Sequence, residues 1–260
     1  MLTTISYYNK VTMFLQSLQI EGSSFINEIV KRDHHTVDVF RKYGIEYCCG
    51  GRWPLETMCM MKGLDFNTVK KELESVTRFT QLSSMIPYDT WNVDFLTTYI
   101  VNIHHYYLKK TLPDTAVILK NFADEHTKKY PYLKEVCRLF GILMDEILPH
   151  LQQEEETIFP YICQITHAYE NNDIYGKLLV KTLRKPLQTM MHHEQDKIVM
   201  PVMKIRELTS NYSLPENSCV SHKVAMARLK ELDNDLMQHI YLENEILFAK
   251  ALRVEKELMS

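Results

Sequence analysis

Glycine and proline are scarce, at seven and nine in 260 residues, which argues against a turn-rich sheet protein and for helix. Neither sign of charge dominates, with 30 Lys and Arg against 33 Asp and Glu. No basic face advertises nucleic acid, so DNA and RNA are excluded as leading partners. No apolar run approaches the roughly 20 residues of a membrane span. The N-terminus also lacks a basic region followed by an apolar stretch and a small-residue cleavage site. The expectation is a cytoplasmic protein, neither membrane-bound nor secreted. Residues 1–20 hold no acid and are mildly amphipathic, which keeps a mitochondrion-type organelle as the alternative, but one Lys and no Arg make a weak transit signal. The six cysteines (48, 49, 59, 137, 163 and 219) are scattered except for one adjacent pair. That spacing is not a disulfide framework, and reduced thiols in an intracellular compartment fit it best. Neighbouring residues form a disulfide only with strain, so Cys48 and Cys49 read as thiols, ligands or packing.

What is present is helical pattern. Hydrophobic residues make up 45% of the chain, enough to bury one large core or two modest ones. Residues 24–76 show short helical patterns broken by Gly44, the Gly50-Gly51 turn, Pro54 and Gly63, and read as a small domain. Residues 77–92 lose periodicity and read as a linker. Residues 93–256 carry four long helical patterns, about 93–125, 131–169, 174–209 and 219–256. Loops fall at "KKYP", "ENND" and "SNYSLPENS". The expected fold is all-α, a small N-terminal helical domain followed by an antiparallel four-helix bundle. Pro113 and Pro160 should kink or interrupt their helices.

One frame occurs twice, in "HLQQEEETIFP" (150–160) and "HIYLENEILFA" (239–249). At 100° per residue, Leu143, Ile147, His150, Glu154, Ile158 and Tyr161 share one stripe of the second helix. Leu232, Leu236, His239, Glu243, Ile246 and Leu247 share one on the fourth. Each frame thus sets a His and a Glu, one turn apart, in the middle of an apolar face. A buried carboxylate costs several kcal/mol unless it is paired or bound to a cation. The second stripe offers no Lys or Arg. The fourth offers only Lys250, roughly 10 Å beyond Glu243 by helical rise. A metal answers the demand better, and mixed imidazole and carboxylate ligation in a bundle core suits di-iron or di-manganese, with zinc taking the same ligand types. On the first helix His104 and His105 are adjacent, so at most one should point inward, and the stripe slightly favours His104. On the third, Leu187, Met191, Ile198, Val202 and Ile205 form the stripe, with Glu194 and Gln195 nearest its gap, His192 at the flank and His193 facing away. Glu155, Glu156 and Glu245 read as solvated surface, and the Met residues as core filler.

These residues resemble a family, the hemerythrin-like iron–sulfur cluster repair proteins, also called Repair of Iron Centers. "VFRKYGIEYCCGG" with "LETMC" is similar to the signature of their small double-Cys, ScdA-type N-terminal domain, and the two His-x-x-x-Glu frames are similar to their second and fourth bundle motifs. The resemblance implies a non-haem di-iron centre bridged by two glutamates and held by four histidines. His150, Glu154, His239 and Glu243 match directly. Anchoring "HHYYLKKTLP" on its Leu-Pro puts the first-helix ligand at His105, in preference to the stripe's His104. Glu146 and Glu194 look like the family's further carboxylates near iron. The third helix departs, because Gln195 stands where a ligand His belongs, leaving Glu194 or His192 for that place. The implied function is repair of clusters damaged by nitrosative or oxidative stress, by iron donation or by handling nitric oxide, with Cys48-Cys49 as a thiol pair. The implied partners are damaged iron–sulfur proteins or a cluster assembly scaffold, with nitric oxide or dioxygen as small-molecule ligands, and a homodimer is compatible. The alternative is a sensor or carrier of dioxygen, nitric oxide or iron without repair activity.

Overall fold

The computed structural model describes residues 15–16, 20–33, 35–47, 53–77, 79–80, 86–182 and 195–259. The chain forms two compact units, Met1–Ile86 with Leu214–Arg228, and Pro87–Ser213 with Leu229–Ser260. In the first unit β1 (Leu15–Gln16) pairs antiparallel with β2 (Phe79–Thr80), Leu15 opposite Thr80. Between them lie α1 (Ile26–Arg32), α2 (Thr36–Lys42), α3 (Leu55–Met61) and α4 (Phe66–Val76). Helices this short do not stand alone. They are held by a shared core of Ile26, Ile29, Val30, Val37, Phe40, Leu55, Val69 and Leu73, all buried.

Gly44 and Gly63 end α2 and α3 at φ of 61° and 67°. There the following amides reach back, Ile45 N to Phe40 O at 2.8 Å and Leu64 N to Cys59 O at 2.9 Å. This left-handed closure is open to glycine without a Cβ penalty. Asp65 caps α4 by accepting from Thr68 N at 2.7 Å. Buried Arg228 donates to Asp38 of α2, tying Leu214–Arg228 into this unit. The hydrophobic pattern alone assigns the whole of 219–256 to the bundle, because periodicity does not reveal an ion pair.

The second unit is the bundle, and each of its four helices contains a π-helical stretch among its described residues. Asn92 caps α5, accepting from Phe95 N at 2.8 Å. This helix runs as Val93–Tyr99, a π-helical stretch Ile100–His105, then Tyr106–His126. α6 runs as Leu133–Gln153, a π stretch Glu154–Ile158, then Phe159–Glu170. Of the third helix two pieces are described, α7 (Gly176–Thr182) and α8, a π stretch Gln195–Val199 continuing as Met200–Leu208. α9 runs as Val220–Tyr241, a π stretch Leu242–Leu247, then Phe248–Met259. α6 packs against α5 and α8, and its last segment packs against the last segment of α9. Short connections make sequential neighbours antiparallel. The fold is all-α, as the pattern predicts. No described helix is long and apolar enough to cross a membrane.

The prolines behave unequally. Pro160 follows the π stretch of α6 by two residues, and Pro201 stands in the same relation to that of α8. Pro113, expected to kink or interrupt α5, instead lies inside Tyr106–His126, which continues through it. Both Pro113 and Lys109, whose carbonyl loses its helical partner, are exposed, which places the break on the solvent side of the helix.

The predicted stripes of α6 and α9 are buried except for His150, which is partly exposed, and of the third stripe Ile198, Val202 and Ile205 are buried while Leu187 and Met191 lie outside the described residues. Leu143, Ile147, Glu154, Ile158 and Tyr161 are buried on α6, as are Leu232, Leu236, His239, Glu243, Ile246 and Leu247 on α9. Because Leu112 is wholly buried, Leu112→Ala should cost about 2–5 kcal/mol. Chemical denaturation of the metal-free protein measures it, as a lower midpoint with an unchanged slope.

Candidate metal centre

Four buried side chains from three helices meet inside the bundle. His105 of α5, Glu154 of α6, and His239 and Glu243 of α9 are buried, each offering a donor atom, and these atoms lie within 4.8 Å of one another. Donors on one first-row ion sit about 2.0–2.2 Å from it, so the spread suits one ion or a close pair. His105 Nε2 is 3.0 Å from His239 Nε2, 3.4 Å from Glu243 Oε1 and 3.6 Å from Glu154 Oε2. His239 Nε2 is 2.7 Å from Glu243 Oε1. His150 stands beside them, its Nε2 3.2 Å from Glu154 Oε1.

The sharpest feature is Glu154. Among the described residues neither carboxylate oxygen accepts a hydrogen bond, and both are buried. The nearby imidazole nitrogens approach without hydrogen-bond alignment. Lys250, the one cation the sequence stripe offers, donates instead to Trp91 O at 2.5 Å. Buried Asp233 shows the ordinary solution, with Arg206 Nε and Nη2 each at 2.5 Å and the Tyr212 hydroxyl at 2.7 Å. Two buried carboxylates facing converging imidazole nitrogens, with one carboxylate left without any donor, are the chemistry of a cation site.

The structure separates residues that the sequence leaves level. Both His104 and His105 are buried, which a straight α-helix would not arrange. The π stretch ending at His105 inserts an extra residue into the turn and turns both rings inward. His105 joins the cluster, while His104 Nδ1 turns to Asp235 Oδ1 at 3.0 Å. Asp235 precedes His239 by one turn, as Glu146 precedes His150. The frame is therefore longer than two residues: acid, His and Glu at four-residue intervals on both helices. That signal was available in the sequence and would have found Asp235. Glu146 itself is half-buried, with Lys197 Nζ at 3.4 Å from its Oε1.

Glu155, expected at the surface, is a correction. Its Oε1 lies 2.8 Å from His105 Nδ1 and its Oε2 accepts from Lys109 Nζ at 2.6 Å. Burial raises this carboxyl, but the hydrogen bonds from Lys109 and His105 outweigh that and hold it below the ordinary glutamate value. Its proximity to His105 depends on the packing of α5 on α6, which no single-helix pattern contains. His192, Glu194, Cys48 and Cys49 lie outside the described residues. Gln195 opens the π stretch of α8. The described cysteines, Cys59, Cys137, Cys163 and Cys219, are free thiols, and burial pushes the first three up, away from reactive thiolate.

Imidazoles and carboxylates converging from three helices define a cation-binding helical bundle. Residues 97–251 match the hemerythrin HHE cation binding domain, and the chain belongs to that family. Residues 23–77 match the ScdA N-terminal domain, described as a domain of unknown function. The chain is similar to an iron-sulfur cluster repair protein ScdA of Staphylococcus epidermidis, at 28% identity over 89% of this chain and 99% of the relative. It is also similar to an iron-sulfur cluster repair protein YtfE of an Enterobacter species, at 27% identity over 88% of this chain and 97% of the relative.

If Glu154 is there for a cation, Glu154→Gln in metal-free protein should leave the melting temperature unchanged or raise it, since a buried charge is removed. The same variant should lose most of the stabilisation that Fe(II) gives the parent, about 4 kcal/mol at a thousandfold excess over Kd. Paired melting curves with and without chelator check both.

Proposed function

We propose that the bundle holds a non-haem di-iron centre on His105, His150, Glu154, His239 and Glu243, with Glu146 as a nearby inner carboxylate. In this reading the protein supports repair of iron–sulfur clusters damaged by nitrosative or oxidative stress. The observation that carries it is the donor-less, fully buried carboxylate of Glu154 among three imidazoles. Imidazole and carboxylate together suit Fe(II), and bundles use them for paired ions. Manganese and zinc accept the same donors and are the lesser fits. The repair names of relatives that match nearly end to end support the choice of iron and of damaged iron–sulfur proteins, or a cluster assembly scaffold, as partners. A cytoplasmic setting with reduced thiols accords with it.

Bound there, the ions would supply one-electron chemistry and open coordination positions for nitric oxide or dioxygen. The chain's own residues do the rest. Glu154 and Glu243 bring the charge that retains a divalent cation, and their burial keeps bulk water from competing. His105 and His239 direct Nε2 to the same point, and Phe159, stacked on His105, belongs to a buried apolar cluster with Leu96, Ile158, Leu242 and Leu247. Such a site can serve repair as an iron source or by taking nitric oxide away.

Protein purified without oxygen should carry about two irons per chain, with Mössbauer spectra of a coupled pair that change on adding nitric oxide. His239→Ala and Glu243→Gln should each lower the iron count. Mixed with an enzyme whose cluster has been damaged by nitric oxide, the iron-loaded protein should restore its activity and the two variants should not. No iron after reconstitution overturns the proposal. Iron without restoration instead supports a sensor or carrier.

A further inference from the structure

Glu155 immediately follows a cluster residue yet points another way. At the start of the π stretch of α6, Glu154 turns into the cluster and Glu155 turns toward α5. There it meets two side chains one turn apart on that helix, His105 at 2.8 Å and Lys109 at 2.6 Å. An ionised carboxylate can only accept, so His105 Nδ1 must carry the proton. That leaves the lone pair on Nε2, the atom facing His239, Glu243 and Glu154. Phe159 stacks on the same ring, with centroids 5.5 Å apart and planes 29° from parallel. The ring's plane is set by Phe159 and its proton by Glu155.

Glu155 also lines a cavity of about 340 Å³ between α5 and α6, along with Val101, Asn102, Phe159 and Cys163. It is the one carboxylate among the lining residues. Lys109 holds the oxygen that His105 does not use, so the carboxylate cannot rotate into the cavity without losing both partners.

We propose that Glu155, clamped by Lys109, is a positioning residue that fixes the tautomer and donor strength of His105, and that the adjoining cavity admits a small carboxylate able to take its place. This rests on the metal reading of the cluster. Carboxylate-to-histidine contacts of this kind raise the basicity of a ligating imidazole, and losing one typically costs about 10–100-fold in metal affinity.

The first measurement needs no metal. Nitrogen-15 spectra of histidine-labelled, metal-free protein should show His105 as the Nδ1–H tautomer, and as a mixture or the Nε2–H form in Glu155→Ala. Formate, small enough for the cavity, should restore the parent tautomer in that variant. In chelator competition, Glu155→Ala should bind Fe(II) about 10–100-fold more weakly, with recovery in formate. If Glu155→Ala does not fold, Glu155→Ser is read in the same way, since a side chain two carbons shorter loses both contacts of the carboxylate and leaves the same space for formate. An unchanged tautomer overturns the proposal, as does a loss in a folded variant that formate does not reverse. Parent protein that shows the expected tautomer and takes up no iron sinks the metal reading and leaves the positioning of His105 standing.

Discussion

Two carboxylates with no exposure, Glu154 and Glu243, set the terms for the bundle. An ion in such a place costs several kcal/mol unless its charge and its lone pairs are met. Elsewhere the protein meets that demand with its own side chains, as Arg206 and Tyr212 do for both oxygens of Asp233. At Glu154 it does not. Imidazoles approach it without hydrogen-bond alignment, and the nearby lysines are directed elsewhere, Lys109 to Glu155 and Lys250 to a carbonyl. Among the described residues no basic side chain answers this buried acid, which leaves room for a cation from outside.

That demand also explains the backbone. In a regular helix, neighbours on one face recur three or four residues apart, and a bundle of regular helices offers each level of its core about one inward residue per helix. The cluster needs more. Its residues His105, Glu154 and Glu243 all fall within π stretches, and a fourth such stretch, Gln195–Val199, opens α8. A π turn is poorly favoured by itself and persists where a site uses it. Here it lets α5 bury two consecutive histidines, and it turns Glu154 and Glu155 to two different tasks. Proline assists in two of the four cases, since Pro160 and Pro201 remove an amide from the α ladder just beyond the stretch. In α9 no proline follows, and Phe248 occupies the place after the stretch.

Legibility in the sequence follows from this division. The helices and their buried faces were readable because a period of 3.6 holds along most of each one. His150, Glu154, His239 and Glu243 were readable because both frames sit four residues apart within that period. His104 against His105 was not, because a constant 100° advance fails across a π turn, and only alignment to a family motif favoured the second. Glu155 was misread because its partners lie on another helix. Asp235 was overlooked although its spacing to His239 copies that of Glu146 to His150. Arg228 was unreadable as part of the first unit, because an ion pair leaves no periodic trace.

The two frames repeat in sequence but not in surroundings. His239 is 1% exposed and close enough to Glu243 for a hydrogen bond, at 2.7 Å, and His105 lies against both. His150 is 12% exposed, and its approach to Glu154 lacks hydrogen-bond alignment. The α9 half of the cluster is therefore already compact, with its donors drawn together, whereas the α6 half has an acid without a donor and a histidine nearer to solvent. If two ions occupy the cluster, they do so unequally: one on His105, His239 and Glu243, the other on Glu154 and His150 with fewer donors among the described residues. Gln195, where the sequence resemblance implies a histidine, opens the π stretch of α8, and that stretch packs against α6. An ion held by fewer and more exposed donors exchanges more readily, which is the property that iron donation requires and that a permanent carrier site does not.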